Sequence, residues 1–136
     1  MDLEDQAVQN ERPRQQRRVL VVDDHAEMRL AVTRLLRGLG HEVMAAEDGA
    51  QALSAIETFH PDAAVVDLSL RDMSGIELAA QLRRLFPDGQ LRLIALTAYE
   101  DEDVRQACLA AGFDAYVVKA GGFEELDSLL QGRSGV

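Results

Sequence analysis

The chain has 136 residues, 47% of them hydrophobic, with no tryptophan, one cysteine and a formal charge of −10 at pH 7. That length suits one compact domain with an aliphatic core, and a lone cysteine, Cys108, excludes an internal disulfide and a cysteine zinc cluster. The acid excess argues against nucleic acid or a membrane surface as a direct partner; no apolar run reaches a membrane span and the polar N-terminus lacks a signal peptide's apolar segment, so a cytoplasmic location is expected.

Residues 1–16 carry no apolar period and are expected to form a flexible tail. Arg12, Arg14, Arg17 and Arg18 are offset there by acids at 2, 4, 5 and 11, which argues against a DNA-binding arm. Strand and helix patterns then alternate five times over 17–131, and 132–136 read as a C-terminal tail. Residues 18–22, rich in β-branched side chains, form the first strand. Met28, Val32, Leu35, Leu36 and Leu39 share one helix face, closed by Gly40. The second strand covers 42–46, and Asp48-Gly49 turns into a helix carrying Leu53 and Ile56. The third strand covers 63–67.

Ser74 and Glu77 match a capping box, starting a helix that runs to about Phe86 before Pro87-Asp88-Gly89. A fourth strand over 91–96 and a helix from about Glu100 to Ala111, holding Cys108 as a small buried side chain and closed by Gly112, follow. The fifth strand covers 114–118, and Phe123, Leu126, Leu129 and Leu130 mark a last short helix. Wholly apolar strands alternating with helices imply a parallel sheet covered on both faces, a doubly wound three-layer α/β/α domain.

In such a sheet, ligands bind beyond the carboxyl ends of the strands. The first strand ends in Asp23-Asp24, the third in Asp67, the fourth in Thr97-Ala98 and the fifth in Lys119. Singly, acids cap helices and a lysine after a strand is solvated; as a set they converge on one edge. Three clustered carboxylates repel one another unless a cation joins them. All-oxygen ligation suits Mg2+. Asp67, alone at its strand end, is placed to act as a nucleophile toward phosphorus, with Lys119 and the Thr97 hydroxyl facing the transferred group.

These stretches closely resemble the receiver domains of bacterial response regulators. Val-Leu-Val-Val-Asp-Asp-His at 19–25 looks like the family's acidic-pair strand, and Val-Val-Asp-Leu-Ser-Leu-Arg-Asp-Met-Ser-Gly-Ile-Glu at 65–77 like its phosphoacceptor segment. Leu-Thr-Ala at 96–98 resembles the hydroxyl-bearing strand end, and Ala-Gly-Phe-Asp-Ala-Tyr-Val-Val-Lys at 111–119 the approach to the lysine.

The resemblance implies a flavodoxin-like fold with five parallel strands in the order 2-1-3-4-5. That order is known from a receiver of this family, so it comes with the likeness and not from any spacing in the chain. The resemblance also implies phosphorylation of Asp67, with Mg2+ held by Asp23, Asp24, Asp67 and the Ser69 backbone carbonyl. Thr97, Ala98 and Lys119 would contact the phosphoryl group. Thr97 and Tyr116 would act as a switch that remodels the surface of the fourth helix, fifth strand and fifth helix; the alternative for Tyr116 is a partly buried aromatic without that role. The implied partners are a sensor histidine kinase or phosphotransfer protein and a downstream effector protein or fused output domain. The only catalysis implied is the domain's own phosphorylation and dephosphorylation.

Two positions depart from the family pattern. Ala120 stands where proline commonly follows the lysine, so a trans bond and a differently shaped loop are expected. Arg71 replaces a usual proline and reads as a solvated charge. Ser69 and Tyr99, two residues beyond Asp67 and Thr97, occupy positions that flank the phosphoryl group, and Tyr99 is expected to shield it. His25, His41 and His60 lack metal-ligand spacing, His25 reading as a surface residue.

A haloacid dehalogenase needs a second acid two residues after its nucleophile, where this chain has Ser69. A flavodoxin-like cofactor binder needs a phosphate-cradling loop after the first strand, which is missing. A receiver-like interaction module that works without phosphorylation stays open.

Overall fold

The computed structural model describes residues 15–98 and 100–132. Expectations for residues 1–14, Tyr99 and 133–136 therefore lie outside the described residues. Among those described, the elements are β1 (Arg18–Val22), α1 (Ala26–Gly38), β2 (Glu42–Ala46), α2 (Gly49–Phe59), β3 (Ala63–Asp67), α3 (Gly75–Leu85), β4 (Arg92–Thr97), α4 (Glu102–Ala111), β5 (Ala115–Val118) and α5 (Leu126–Leu130), with a 3₁₀ turn at Lys119–Gly121. The sheet is parallel throughout, in the order β2-β1-β3-β4-β5.

The apolar runs go where a covered parallel sheet needs them. Every residue of β3 is buried, as is all of β1 and β4 but their first residues, while the edge strand β5 is half-buried. Alternate side chains serve opposite faces. Leu20, Val22, Ala64, Val66, Leu93 and Ala95 pack with Ile56 of α2, Leu78 and Leu82 of α3 and Cys108 of α4. Val19, Val21, Ala63, Val65, Ile94 and Leu96 pack with Val32 and Leu36 of α1 and with Leu126, Leu129 and Leu130 of α5. Burying one such leucine contributes about 1.5–3 kcal/mol. Leu82 is fully buried, so truncating it to alanine should cost about 2–5 kcal/mol and damage the α3 side of the sheet first.

Three helices start on side-chain caps close to the strand ends. Asp48 accepts from the Gln51 N–H at 2.9 Å, Ser74 from the Glu77 N–H at 3.1 Å, and Asp101 from the Asp103 and Val104 N–H groups at 2.8 and 3.2 Å. Because Asp101 is the cap, α4 begins at Glu102, two residues later than its apolar pattern suggests. β5 begins one residue late as well, since Asp114 turns its carboxylate onto the Leu93 N–H at 2.8 Å.

Candidate functional site

Parallel pairing gathers the strand C-termini on one edge, and the register levels the acids. Val22 lies opposite Val66, so Asp23 comes level with Asp67, which lies opposite Leu96. Thr97 lies opposite Val118, and Lys119 follows one step on. Asp23 is fixed at both ends: its N–H donates to the Ala46 carbonyl at 3.1 Å, and its Oδ1 accepts from the His25 N–H at 2.9 Å. Behind Asp67 the chain closes tightly. A Cβ added at Gly75 would lie 2.4 Å from the Asp67 carbonyl oxygen, so only glycine lets α3 start against this strand end.

The charges do not balance within this cluster. Asp23 is fully buried and Asp67 is 6% exposed, and one oxygen each from Asp23, Asp24 and Asp67 lies within 4.8 Å of the others. Facing them, the Lys119 ammonium is 3.2 Å from Asp67 Oδ1 and 3.6 Å from Asp23 Oδ2. Burial raises the pKa of the Asp23 carboxyl above its ordinary value; the His25 N–H bond and Lys119 oppose the shift, and the Asp67 charge adds to it. Asp23 Oδ2 is buried without a hydrogen-bond partner. A buried carboxylate oxygen that accepts no hydrogen bond and has one ammonium at 3.6 Å, beside two further carboxylates, is costly by itself. A hard dication on that oxygen would remove the cost, so this oxygen-only donor set fits magnesium.

Other expected residues fall around this centre. Thr97 is buried at 4% exposure, while Ser69 and Ala98 are exposed. Tyr116 is half-buried, and its hydroxyl accepts from the Asp101 N–H at 3.4 Å. Its ring lines a groove of about 850 Å³ with Asp101, Glu102, Val118, Gly121 and Glu125, and none of the three clustered acids borders that groove. No cis peptide bond occurs among the described residues, so Ala120 follows Lys119 through a trans bond, and the 3₁₀ turn beyond leaves the ammonium on Asp67. His25 is exposed, as expected.

Arg71 is not merely solvated: it is exposed but lies 3.4 Å from Glu47 and 3.9 Å from Asp48. Pattern reading also misses Arg29, whose Nη1 donates to the Asp23 carbonyl at 2.8 Å, and Asp72, which accepts from the Gly49 and Ala50 N–H groups at 2.9 Å each. Neither has a spacing signature, because each contact joins different elements.

Fold and site together define a doubly wound α/β domain with an acid cluster and one lysine at the carboxyl edge of its sheet. Residues 19–131 match the response regulator receiver domain, and the chain belongs to that family of two-component signalling modules. Response regulator MprA of Mycobacterium sp. (strain KMS) is 39% identical over 109 residues, covering 80% of this chain and 46% of that protein. Two-component response regulator PhoP of Pseudomonas aeruginosa is 40% identical over 116 residues, covering 83% and 49%. The chain thus spans about half the length of the curated relatives it matches.

Among solved structures, Thermotoga maritima TrrA in complex with Mg(2+)-BeF superposes with a TM-score of 0.74 at 32% identity, covering 85% of this chain and 96% of that one. Vibrio cholerae CheY4 gives 0.80 at 28% identity, covering 88% and 100%. Family membership sets aside the dehalogenase and flavodoxin readings.

Proposed function

We propose that this chain takes a phosphoryl group onto Asp67 from a phosphohistidine of a sensor histidine kinase or phosphotransfer protein. An Asp67 carboxylate oxygen attacks phosphorus, the P–N bond breaks, and its electron pair returns to the departing imidazole nitrogen. The observation that carries this reading is the Lys119 ammonium 3.2 Å from Asp67 Oδ1, beside three carboxylates whose oxygens lie within 4.8 Å. Lys119 offsets the charge of the incoming group; Thr97 and Ala98 offer it hydrogen-bond donors from the next strand end. Magnesium held by Asp23, Asp24, Asp67 and the Ser69 carbonyl would supply further charge neutralisation.

Thr97 and Tyr116 then report occupancy: an inward Thr97 leaves room for the half-buried Tyr116 ring to follow. The phosphoryl group acts by binding one of two arrangements better. The recipient is a downstream effector protein or a fused output domain, reached through the groove beside Tyr116. In this reading residues 17–131 are the cytoplasmic receiver, and the catalysis extends only to the domain's own phosphorylation and dephosphorylation.

The test is intact mass after incubation with magnesium and acetyl phosphate, beside an Asp67→Ala variant, with a phosphohistidine donor as a second source. A magnesium-dependent gain of one phosphoryl group, absent from the variant, supports the reading. No gain from either donor would replace it with that of an interaction module working without phosphorylation.

A further inference from the structure

The turn after β2 supplies no candidate ligand, yet both halves of the acid site are fastened to it. On one side, Arg29 in the first turn of α1 donates to the Asp23 carbonyl at 2.8 Å and lies 3.6 Å from Glu47. On the other, Arg71 lies 3.4 Å from the same Glu47, and the two Asp72 oxygens accept from the Gly49 and Ala50 N–H groups at 2.9 Å each. The Met73 thioether fills the space beside Gly49, where an added Cβ would lie 2.6 Å from the sulfur. Ion pairs this exposed contribute little, so the bonds that set position are those of Asp72 and Arg29.

Helix α2 already has its own cap in Asp48, which takes the Gln51 N–H. Asp72 takes two amides that Asp48 leaves, and it does so from the loop that follows Asp67. That loop, residues 68–74, is pinned to itself by the Gly75 N–H on the Leu68 carbonyl at 2.8 Å and by a Ser69–Ser74 bridge. Those bonds fix its internal shape. Asp72 ties it to the start of α2, through two charge-assisted bonds to the Gly49 and Ala50 N–H groups.

Resting on the reading above, in which the Ser69 carbonyl completes the magnesium site, we propose that Asp72 is its positioning residue. By clamping the 68–74 loop to the start of α2, it holds that carbonyl in register with Asp23 and Asp24. Without the clamp the loop must be ordered during metal binding, which weakens affinity and leaves the chemistry of the loaded site unchanged.

The experiment is magnesium titration by calorimetry on the full chain, on Asp72→Ala and Asp72→Asn, and on Asp114→Ala. Asp114 takes the Leu93 N–H at the opposite edge of the sheet, so its loss mimics general destabilisation. Asp72→Ala is expected to weaken magnesium binding about tenfold, with Asp72→Asn in between because one acceptor oxygen survives. Asp114→Ala should stay within about twofold of the parent. With acetyl phosphate, the magnesium concentration giving half the maximal rate should rise by the same factor for Asp72→Ala, while the rate at saturating magnesium is retained. Unchanged magnesium affinity in Asp72→Ala, or a loss of rate that saturating magnesium does not restore, would overturn the proposal. A parent protein that binds no magnesium would overturn the underlying reading, and this inference with it.

Discussion

The two edges of the sheet differ in how they balance buried charge. At the amino edge, the buried His41 has both ring nitrogens engaged, accepting from the Arg17 N–H at 2.9 Å and meeting Asp127 of α5 at 2.8 Å. Beside it Gln131 is paired at both ends of its amide with the Gln15 backbone, at 2.8 Å each. Arg17 Nε is the exception there. At the carboxyl edge, one ammonium faces three carboxylates, and Asp23 Oδ2 has no hydrogen-bond partner. A polar cluster satisfied inside the chain reads as structural; one left short of positive charge reads as a place for something that arrives.

The most severe way to break this contrast is Lys119→Ala. With its ammonium gone, phosphorylation by acetyl phosphate should slow about a hundredfold, as when one preorganised charge-stabilising donor is removed, and a stopped-flow or mass time course measures it. At the opposite edge, His41→Ala should act on stability alone. It strips Asp127 and the Arg17 N–H of a buried partner and should cost about 2–3 kcal/mol in urea unfolding, while the magnesium dissociation constant stays within about twofold.

A smaller effect carries a pH signature. The folded-state pKa of Asp23 is raised, chiefly by burial, so this group stabilises the protonated fold; its contribution is present at low pH and lost as pH rises through the raised value. In metal-free buffer Asp23→Asn is therefore expected to be more stable than the parent at neutral pH. That advantage should fade as pH falls through the raised pKa of Asp23. Adding magnesium should reverse the order at neutral pH, because only the parent keeps the full carboxylate set. Thermal unfolding from pH 4 to 8, with and without magnesium, checks all three; equal midpoints throughout would contradict the charge imbalance.

Much of this is legible in the residues, for local reasons. β1, β2 and β3 can be read with their observed ends because each is a short apolar run flanked by charge or turn residues. The acids stand out as strand ends, since a parallel sheet must bring Asp23, Asp67 and Thr97 to one side. Strand order comes through family likeness: β1 lies between β2 and β3, and such pairings leave no period in the chain. For the same reason the Asp72 clamp and the Arg29 bond are invisible in the sequence, as each joins groups on different elements. His41 gives no sign of burial either, because its partners Arg17 and Asp127 lie 24 and 86 residues away.

The most direct measurement is the position of the covalent change itself. Phosphorylated protein can be reduced with borohydride, which converts an aspartyl phosphate to homoserine, and then sequenced by peptide mass spectrometry. Homoserine at position 67, formed only when magnesium was present during phosphorylation, is the expected result. Homoserine at another acid, or none despite a recorded mass gain, would contradict the assignment of Asp67 as the phosphoacceptor.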